Sequence, residues 1–566
     1  MVATLTNGMR VRILRRSGVI LANTTRRKII PGRNAFSMKK NLLKKIVIVT
    51  GLFFISIAAY QYYPAARSVY RQIQTFSAVL ERIHDEYVEE KDAGDLVETA
   101  IRGMLDTLDP HTTFMNPEEF REWNQNFEGY SGIGIYFDII ADKIAILSVI
   151  PGGPSEMAGL KSGDRIVAIN GESTAGLKRD DVPRRLMGPK GTRVTIAVER
   201  RGWEDIRQLE IVRDEVRIES VPYAFMLGDG IGYIYISRFS SGTADEFETA
   251  LNTLEKKGMR RLLLDLRQNG GGYLDAAVSV TDQFLAGGKR IVYTDGRVRS
   301  AFREFFSSDN KDRPVPVVVI IDRISASASE IVAGALQDWD RAYIVGEISF
   351  GKGVVQSQYR FQDGSALLMT TARYHTPTGR IIQRPYDGKT AVDYYAEIWT
   401  DSLQNAPPDP SAPVYETLNL KRPVYGGGGI RPDRILSARK DTLNRVVRNL
   451  VFAPERFLFS FTEHYVDRHP ELRMDFGDFL RDYRPDAAMM RQFLGFLRGG
   501  GFSISDAEFM KNSDQIADLL KENIASAIWG DIAGYQVEML RDRQLAEALT
   551  CFPRAEKLFE MSRAPR

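Results

Sequence analysis

The hydrophobic pattern changes period several times along the chain, and those changes divide it. Between Lys44-Lys45 and Pro64 lies an uncharged run, Ile46 to Tyr63, which as a helix spans roughly 27 Å, about the thickness of a thin hydrocarbon core. Next, Val69, Ile73, Phe76, Leu80, Ile83 and Tyr87 alternate at spacings of four and three, one apolar helix face suited to core packing or to a dimer seam. The stretch IRGMLDTLDPHTTFMNPEEF reads as a helix ended by Asp109-Pro110, a loop carrying His111, and a second helix after Asn116-Pro117. His111 has no ligand partner nearby in sequence and reads as structural.

From residue 129 the pattern becomes short β runs punctuated by glycine, with a short helix at Pro154 to Ala158 and another in DDVPRRLMG. Leu262 to Leu266 is a continuous apolar run, as expected of a buried parallel strand; the loop Arg267-Gln268-Asn269-Gly270-Gly271-Gly272 and a helix near Asp275 follow it. The plan repeats with a strand at Val315 to Ile321, a turn at Asp322-Arg323-Ile324 and a helix from about Ser327 to Trp339. Such repetition predicts a parallel or mixed α/β sheet whose ligands gather at the C-terminal ends of the strands. Proline and glycine concentrate in 401–433, and beyond 440 the reading is helical, with one apolar stripe at Ile516, Leu519, Leu520, Ile524, Ala527 and Ile528. That stripe suits a core, a dimer partner or a substrate-delivery protein.

Composition narrows the class. With 566 residues, 43% hydrophobic and 10% aromatic, the chain is neither largely disordered nor a polytopic membrane protein. A single cysteine, Cys551, excludes an internal disulfide framework and a multi-cysteine zinc site. The net charge of +3 hides an asymmetry: residues 1–45 hold twelve Lys/Arg and no Asp or Glu, leaving −9 for the remainder. A basic arm on an acidic body argues against nucleic acid. Placed before the apolar run, it directs the N-terminus to the cytoplasm and everything after residue 64 outward. The expectation is a single-pass signal anchor in the inner (cytoplasmic) membrane with the bulk of the chain on the periplasmic or extracytoplasmic side. A cleaved signal peptide is the alternative, although the run exceeds the usual apolar length. Met38 before KKNLLKK also reads as a natural start, which would make residues 1–37 an extension.

Candidate chemistry sits in the second loop, Ser325-Ala326-Ser327-Ala328-Ser329-Glu330, and in Phe350-Gly351-Lys352-Gly353. A serine hydroxyl attacks an amide only when a base takes its proton, and the five histidines suggest no Ser-His-Asp group. A lysine enclosed among apolar strands can be that base if desolvation keeps it neutral. Ser327-Ala-Ser-Glu330 is equally a capping box, a purely structural reading. Gly346-x4-Gly351-Lys352 imitates a nucleotide-binding loop, but Gly353 stands where the magnesium-binding hydroxyl belongs and a strand-like segment follows.

Two resemblances organise these residues. Segment 127–213 resembles a PDZ domain: Gly132-Ile133-Gly134-Ile135 matches its carboxylate-binding loop, with Ser155-x-x-Ala158-Gly159-Leu160 and Gly163-Asp164-x-Ile166-x-x-Ile169-Asn170-Gly171 following in order. Consecutive glycines let backbone N–H groups converge on an anion, and the adjoining strand can add a peptide. Together with DLRQNGGGYL, SASASEI and FGKGVVQ, this is similar to the carboxyl-terminal processing peptidases, or tail-specific proteases. That resemblance implies Ser327 as nucleophile, Lys352 as general base, Gln356 orienting the lysine, and an oxyanion hole from the N–H of Ala328 and of Gly271 or Gly272. It makes Asp338 a supporting residue and requires neither metal nor organic cofactor.

The expected fold is multidomain α+β, a PDZ domain beside a crotonase/ClpP-like α/β protease core with helical regions at both ends. Its parts are a basic arm (1–45), a membrane anchor (46–63), an N-terminal helical region (65–126), the PDZ domain (127–213), the protease core (214–400), a linker and end of core (401–439) and a C-terminal helical domain (440–566). The expected partners are protein or peptide substrates with exposed apolar C-termini, the membrane, and a second copy or an adaptor protein. The competing expectation is a non-catalytic peptide- or ligand-binding protein on the same fold.

Overall fold

The computed structural model describes residues 64–564 except 310, 401–403, 405–406 and 438–443, so the expected basic arm and anchor (46–63) lie outside the described residues. Among the described residues no helix is long and apolar enough to cross a membrane. The described chain divides after Thr99 into two units, 64–99 and 100–564. In the first, helix α1 (Pro64–Glu86) carries the alternating stripe, but Val69, Ile73, Phe76 and Tyr87 are exposed. Among the described residues of that unit no apolar surface is set against this face.

In the second unit, helix α2 (Ala93–Leu105), which begins in the first, ends before the 109–112 loop. Strand β1 (Thr113–Met115) and helix α3 (Pro117–Glu128) follow the loop. Strand β2 (Tyr130–Gly132) leads into an antiparallel sheet of β3 (Ile135–Ile140), β4 (Lys143–Val149), β5 (Arg165–Ile169), β6 (Glu172–Ser173), β7 (Arg193–Glu199) and β8 (Arg207–Val212). Helices α4 (Pro154–Met157) and α5 (Asp181–Leu186) complete this PDZ module, and β9 (Asp214–Val216) closes it by pairing with β2. Strand β3 is an edge of the sheet, which leaves it open to a further strand.

The central sheet has the order β10 (Tyr223–Gly228), β11 (Ile231–Tyr235), β12 (Arg261–Asp265), β15 (Val317–Ile321), β16 (Ala342–Gly346), β21 (Arg434–Ile435), and is parallel except at β10. Helices α6 (Thr243–Lys256), α7 (Leu274–Asp282) and α8 (Ala328–Asp338) cover one face, where Leu262, Leu264, Val317 and Val319 meet Phe247, Val280 and Val332. A second antiparallel sheet joins β1, β18 (Ala366–His375), β13 (Arg290–Asp295) and β14 (Arg303–Phe306), with β17 (Val354–Arg360) also on β18. Helix α9 (Ala391–Ala396) and the hairpin β19 (Val414–Glu416) and β20 (Pro423–Tyr425) lie before β21.

The opposite face of the central sheet corrects the expected domain boundary. Alternate residues Tyr233, Leu263, Val318 and Ile320 point there, since successive strand side chains face opposite ways, and they pack on Met539, Leu545, Phe552 and Leu558. Those residues belong to α16 (Asp531–Met539), α17 (Arg543–Leu549) and α18 (Phe552–Arg563), so the end of the expected C-terminal domain is a layer of the core. The remaining helices, α10 (Arg445–Val451), α11 (Phe457–Arg468), α12 (Phe476–Asp482), α13 (Ala487–Gly499), α14 (Asp506–Lys511) and α15 (Ser513–Trp529), surround a separate apolar core. There Ile516, Leu519, Leu520 and Ile524 are buried, so the predicted stripe is mainly core. This helical module meets the PDZ sheet through Arg165–Glu463 at 3.0 Å and Arg456–Asp138 at 2.6 Å. Because Phe552 is wholly enclosed on the sheet, Phe552→Ala is expected to cost about 3–5 kcal/mol. Denaturant unfolding read on the full chain checks this, and a loss below about 1 kcal/mol would show that the layer is peripheral.

Candidate active site

The loops after β12 and β15 meet because parallel strands deliver them to the same edge of the sheet. Of the three serines in the second loop, Ser325 donates its hydroxyl to Leu266 O at 2.8 Å and Ser329 to Asn269 O at 2.9 Å, and both are buried. Ser327, at the N-terminus of α8, is partly exposed and has φ +54° with ψ −110°, a positive-φ conformation that costs a non-glycine residue energy unless its surroundings hold it.

Glu330 does much of that holding. One turn into α8 and fully buried, it accepts the Ser327 N–H at 2.7 Å and the Lys352 N–H at 2.9 Å on one carboxylate oxygen. Its other oxygen accepts the Gly351 N–H at 2.7 Å and the Ser349 hydroxyl at 2.5 Å. Sharing one acceptor places the backbones of Ser327 and Lys352 within two hydrogen-bond lengths of each other. Burial pushes the Glu330 pKa above the ordinary glutamate value and the four donors oppose that shift, so the environment is matched to an acceptor-only carboxylate. The S-x-x-E motif therefore does more than cap a helix: its carboxylate also ties in a second loop.

Lys352 Nζ donates to Gln356 Oε1 at 2.5 Å, and Gln356 Nε2 donates to the carbonyl of His111 at 2.5 Å. Among the described residues Lys352 makes no hydrogen bond to Ser327. Enclosure lowers the lysine pKa, and the charges of Glu330 and Asp109 resist without reversing the shift. The His111 ring lies among Phe350, Tyr394 and Tyr395, where burial, then the Lys352 charge, lowers its pKa to about 4 and keeps it neutral. Asp109 fastens this loop to β18 by accepting from the Thr112 N–H and hydroxyl and from the Thr370 hydroxyl at 3.1 Å. In the sequence His111 reads as structural; its backbone carbonyl, which no residue-type motif reveals, completes a line from the 109–112 loop to the lysine.

The glycine loop lies directly against Ser327. A Cβ added to Gly271 would come within 2.8 Å of Ser327 Cβ, and one on Gly272 within 2.0 Å of Phe239 O, so neither position admits a side chain. The Gly271 N–H is already engaged with Asn269 Oδ1 at 2.9 Å, which corrects its candidacy as a free donor. Among the described residues the N–H groups of Gly272 and of Ala328 have no acceptor. Asn269 further joins the loops by accepting the Ala326 N–H at 3.0 Å on its carbonyl, a role no motif in the sequence marks. Asp338, fully buried, pairs with Arg380 at 2.5 Å and accepts from Thr378, consistent with a supporting role.

In the PDZ module Ile133 and Ile135 are buried, and Gly134 turns the chain at φ +76°. The carbonyls of Ile133 and Gly134 accept from Ser155 and Ile150, while among the described residues their N–H groups have no acceptor; Gly132 pairs with Asp214. A cavity of about 2390 Å³ lies between this module, the core and the C-terminal helices, bordered by Tyr136 on β3, Gln268 beside the glycine loop and Tyr535. Small-molecule sites occupy roughly 300–1,000 Å³, so the space is of polypeptide size. Among the described residues no cluster of side chains is suited to a metal ion.

A PDZ module on an α/β core whose serine and lysine loops share one buried carboxylate defines a class, and comparison with known proteins identifies it. The pattern of peptidase family S41 matches residues 230–391, that of the PDZ domain 146–200, and that of the activating protease CtpB N-terminal domain 59–119. A carboxy-terminal-processing protease of Bartonella bacilliformis is 38% identical over 324 residues, covering 56% of this chain and 74% of that protein. The carboxy-terminal processing proteases CtpA and CtpB of Bacillus subtilis are 35% and 37% identical over 308 residues, 54% of this chain and 65% and 64% of theirs. The chain belongs to the carboxy-terminal processing protease family and is a serine-type endopeptidase.

Replacing one Glu330 oxygen by an amide turns an acceptor into a donor facing donors. Glu330→Gln is therefore expected to lower kcat/KM about a hundredfold, the equivalent of roughly 3 kcal/mol for unsatisfied buried donors, while circular dichroism shows the chain still folded. Activity within threefold of the native chain would remove Glu330 from this role.

Proposed function

We propose that Ser327 is the nucleophile and Lys352 the general base of this endopeptidase, with Gln356 orienting the lysine and the N–H groups of Ala328 and Gly272 binding the oxyanion. The observation that carries the reading is the Glu330 carboxylate, which draws the serine and lysine loops together while the lysine is desolvated. Neutral Lys352 takes the Ser327 proton as Oγ attacks the substrate carbonyl. The oxyanion rests on two N–H groups at the positive end of α8, where one such donor is worth about 3 kcal/mol. Protonated Lys352 then gives its proton to the leaving amine, and water, deprotonated by the same lysine, releases the acyl chain. Lys352 and Ser327 need to come into hydrogen-bond contact for the first step, and such contacts commonly tighten when substrate binds.

The substrates on this reading are proteins and peptides with exposed apolar C-termini, cleaved near that end. The PDZ loop supplies the N–H groups of Ile133 and Gly134 for a carboxylate, and the β3 edge supplies strand pairing. The same reading places the enzyme at the inner membrane, anchored by residues 46–63 with its catalytic part outside the cytoplasm, as the uncharged run after twelve basic residues supports. The exposed apolar face of α1 suits a second copy or an adaptor protein.

In full-length protein, Ser327→Ala and Lys352→Ala are each expected to abolish cleavage of a tail-bearing substrate, and Gln356→Ala to reduce it. A base works when deprotonated, so with a lowered lysine pKa kcat/KM is expected to rise with pH through a midpoint below the ordinary lysine value of about 10.4. Cleavage surviving either alanine substitution would remove the dyad. For location, carbonate-resistant membrane association of the full chain, absent from a chain starting at residue 65, is the expected result; a wholly extractable full chain would refute the anchor.

A further inference from the structure

A line of polar contacts outside the reacting groups runs from the C-terminal helices into the base of the glycine loop. Arg267 leaves β12 and opens that loop. Its guanidinium lies between two carboxylates, bonding Asp265 at 2.6 Å and Asp542 at 2.6 Å, and it also donates to Gln544 Oε1 at 3.1 Å, 277 residues further along the chain. Asp265 in turn accepts the Tyr233 hydroxyl at 2.9 Å, which is bonded to the Tyr535 hydroxyl at 2.8 Å. Gln544 is itself fixed by donating to Leu436 O at 2.7 Å.

The segment beyond Arg267 needs such support. Gln268 has φ +59°, which a non-glycine residue adopts at a cost, and Gly271 at φ +99° and Gly272 at φ +143° follow it. The downstream flank is fastened by Phe239, whose N–H donates to Gly271 O at 2.9 Å and whose carbonyl accepts the Tyr273 N–H at 2.8 Å. Upstream, Gln268 is held by the Asp322 carboxylate, which accepts its backbone N–H at 3.1 Å, while Asp265, only two residues from Arg267 on the same chain, orients the arginine without fixing it against another element. Asp542, with Gln544, anchors Arg267 itself to the C-terminal helices. Its loss would leave Arg267 and Asp265 as a self-neutralising pair, so the fold survives while the loop gains freedom.

We propose that Asp542, acting through Arg267, is a positioning residue for the glycine loop, which makes the C-terminal helical segment part of the catalytic apparatus. This rests on the reading of the Gly272 N–H as an oxyanion donor. Asp542 also caps α17 by accepting the Leu545 N–H at 2.8 Å, and asparagine caps equally well, so Asp542→Asn removes the charge while keeping the helix end.

The test compares native protein, Asp542→Asn and Asp542→Glu for kcat, KM, melting temperature and affinity for a peptide boronate, which forms a tetrahedral anion on the serine. Asp542→Asn is expected to lose about tenfold in kcat and in boronate affinity, with KM within twofold and melting temperature unchanged, and Asp542→Glu to recover most of the loss. Native kcat and boronate affinity in Asp542→Asn would overturn the inference, as would a loss confined to KM or to melting temperature. Failure of the underlying mechanism would appear separately, as turnover that survives Ser327→Ala.

Discussion

The site depends on one buried carboxylate. Taking the charge of Glu330 out of water is costly unless every lone-pair direction finds a donor, and here four donors from two loops converge on its two oxygens. That requirement leaves the loops little freedom. Ser327 presents its N–H to the carboxylate from a positive-φ conformation at the start of α8; Gly351 and Lys352 also direct their N–H groups to it and so bring the lysine stem into the site. The electrostatic cost of burial thus becomes a geometric constraint on the two residues that would carry the chemistry.

The rest of the chain is arranged to keep that constraint intact. Enclosure that disfavours the charged lysine would be opposed too strongly if Glu330 faced Nζ directly, but the carboxylate is bound to backbone N–H groups and Nζ turns to Gln356. The glutamine is held by a carbonyl from the N-terminal loop, the glycine loop is stitched to the serine loop through Asn269, and the arginine at its base reaches the C-terminal helices. The loop that precedes β1 and the C-terminal helices therefore converge on one sheet edge, as expected for a proteolytic centre whose donors must be in place before an oxyanion forms.

Sequence made the skeleton readable where physics is local. The apolar run at Leu262–Leu264 and its counterpart ending at Ile321 are buried parallel strands because both faces of the sheet are covered, and the roles of Ser327 and Lys352 take their meaning from the family resemblance. What stayed hidden is non-local. The stretch holding Leu545 and Phe552 reads as helical, but nothing local says that its helices cover the β12–β15 face. Glu330 reads as a capping residue because its second loop lies some twenty residues downstream, and Gly271 reads as a donor because its engagement by Asn269 depends on side-chain geometry. The stripe of α1 shows the converse, a strong pattern whose partner surface no periodicity can name.

Amide hydrogen exchange, followed by mass spectrometry on the native chain and on Glu330→Ala, tests the link between the two loops most directly. If the carboxylate joins them, peptides spanning 325–329 and 349–353 lose protection together, while β15 and the C-terminal half of α8 stay protected. Loosening of the serine loop alone, with 349–353 unchanged, would contradict the claim that one buried charge holds both.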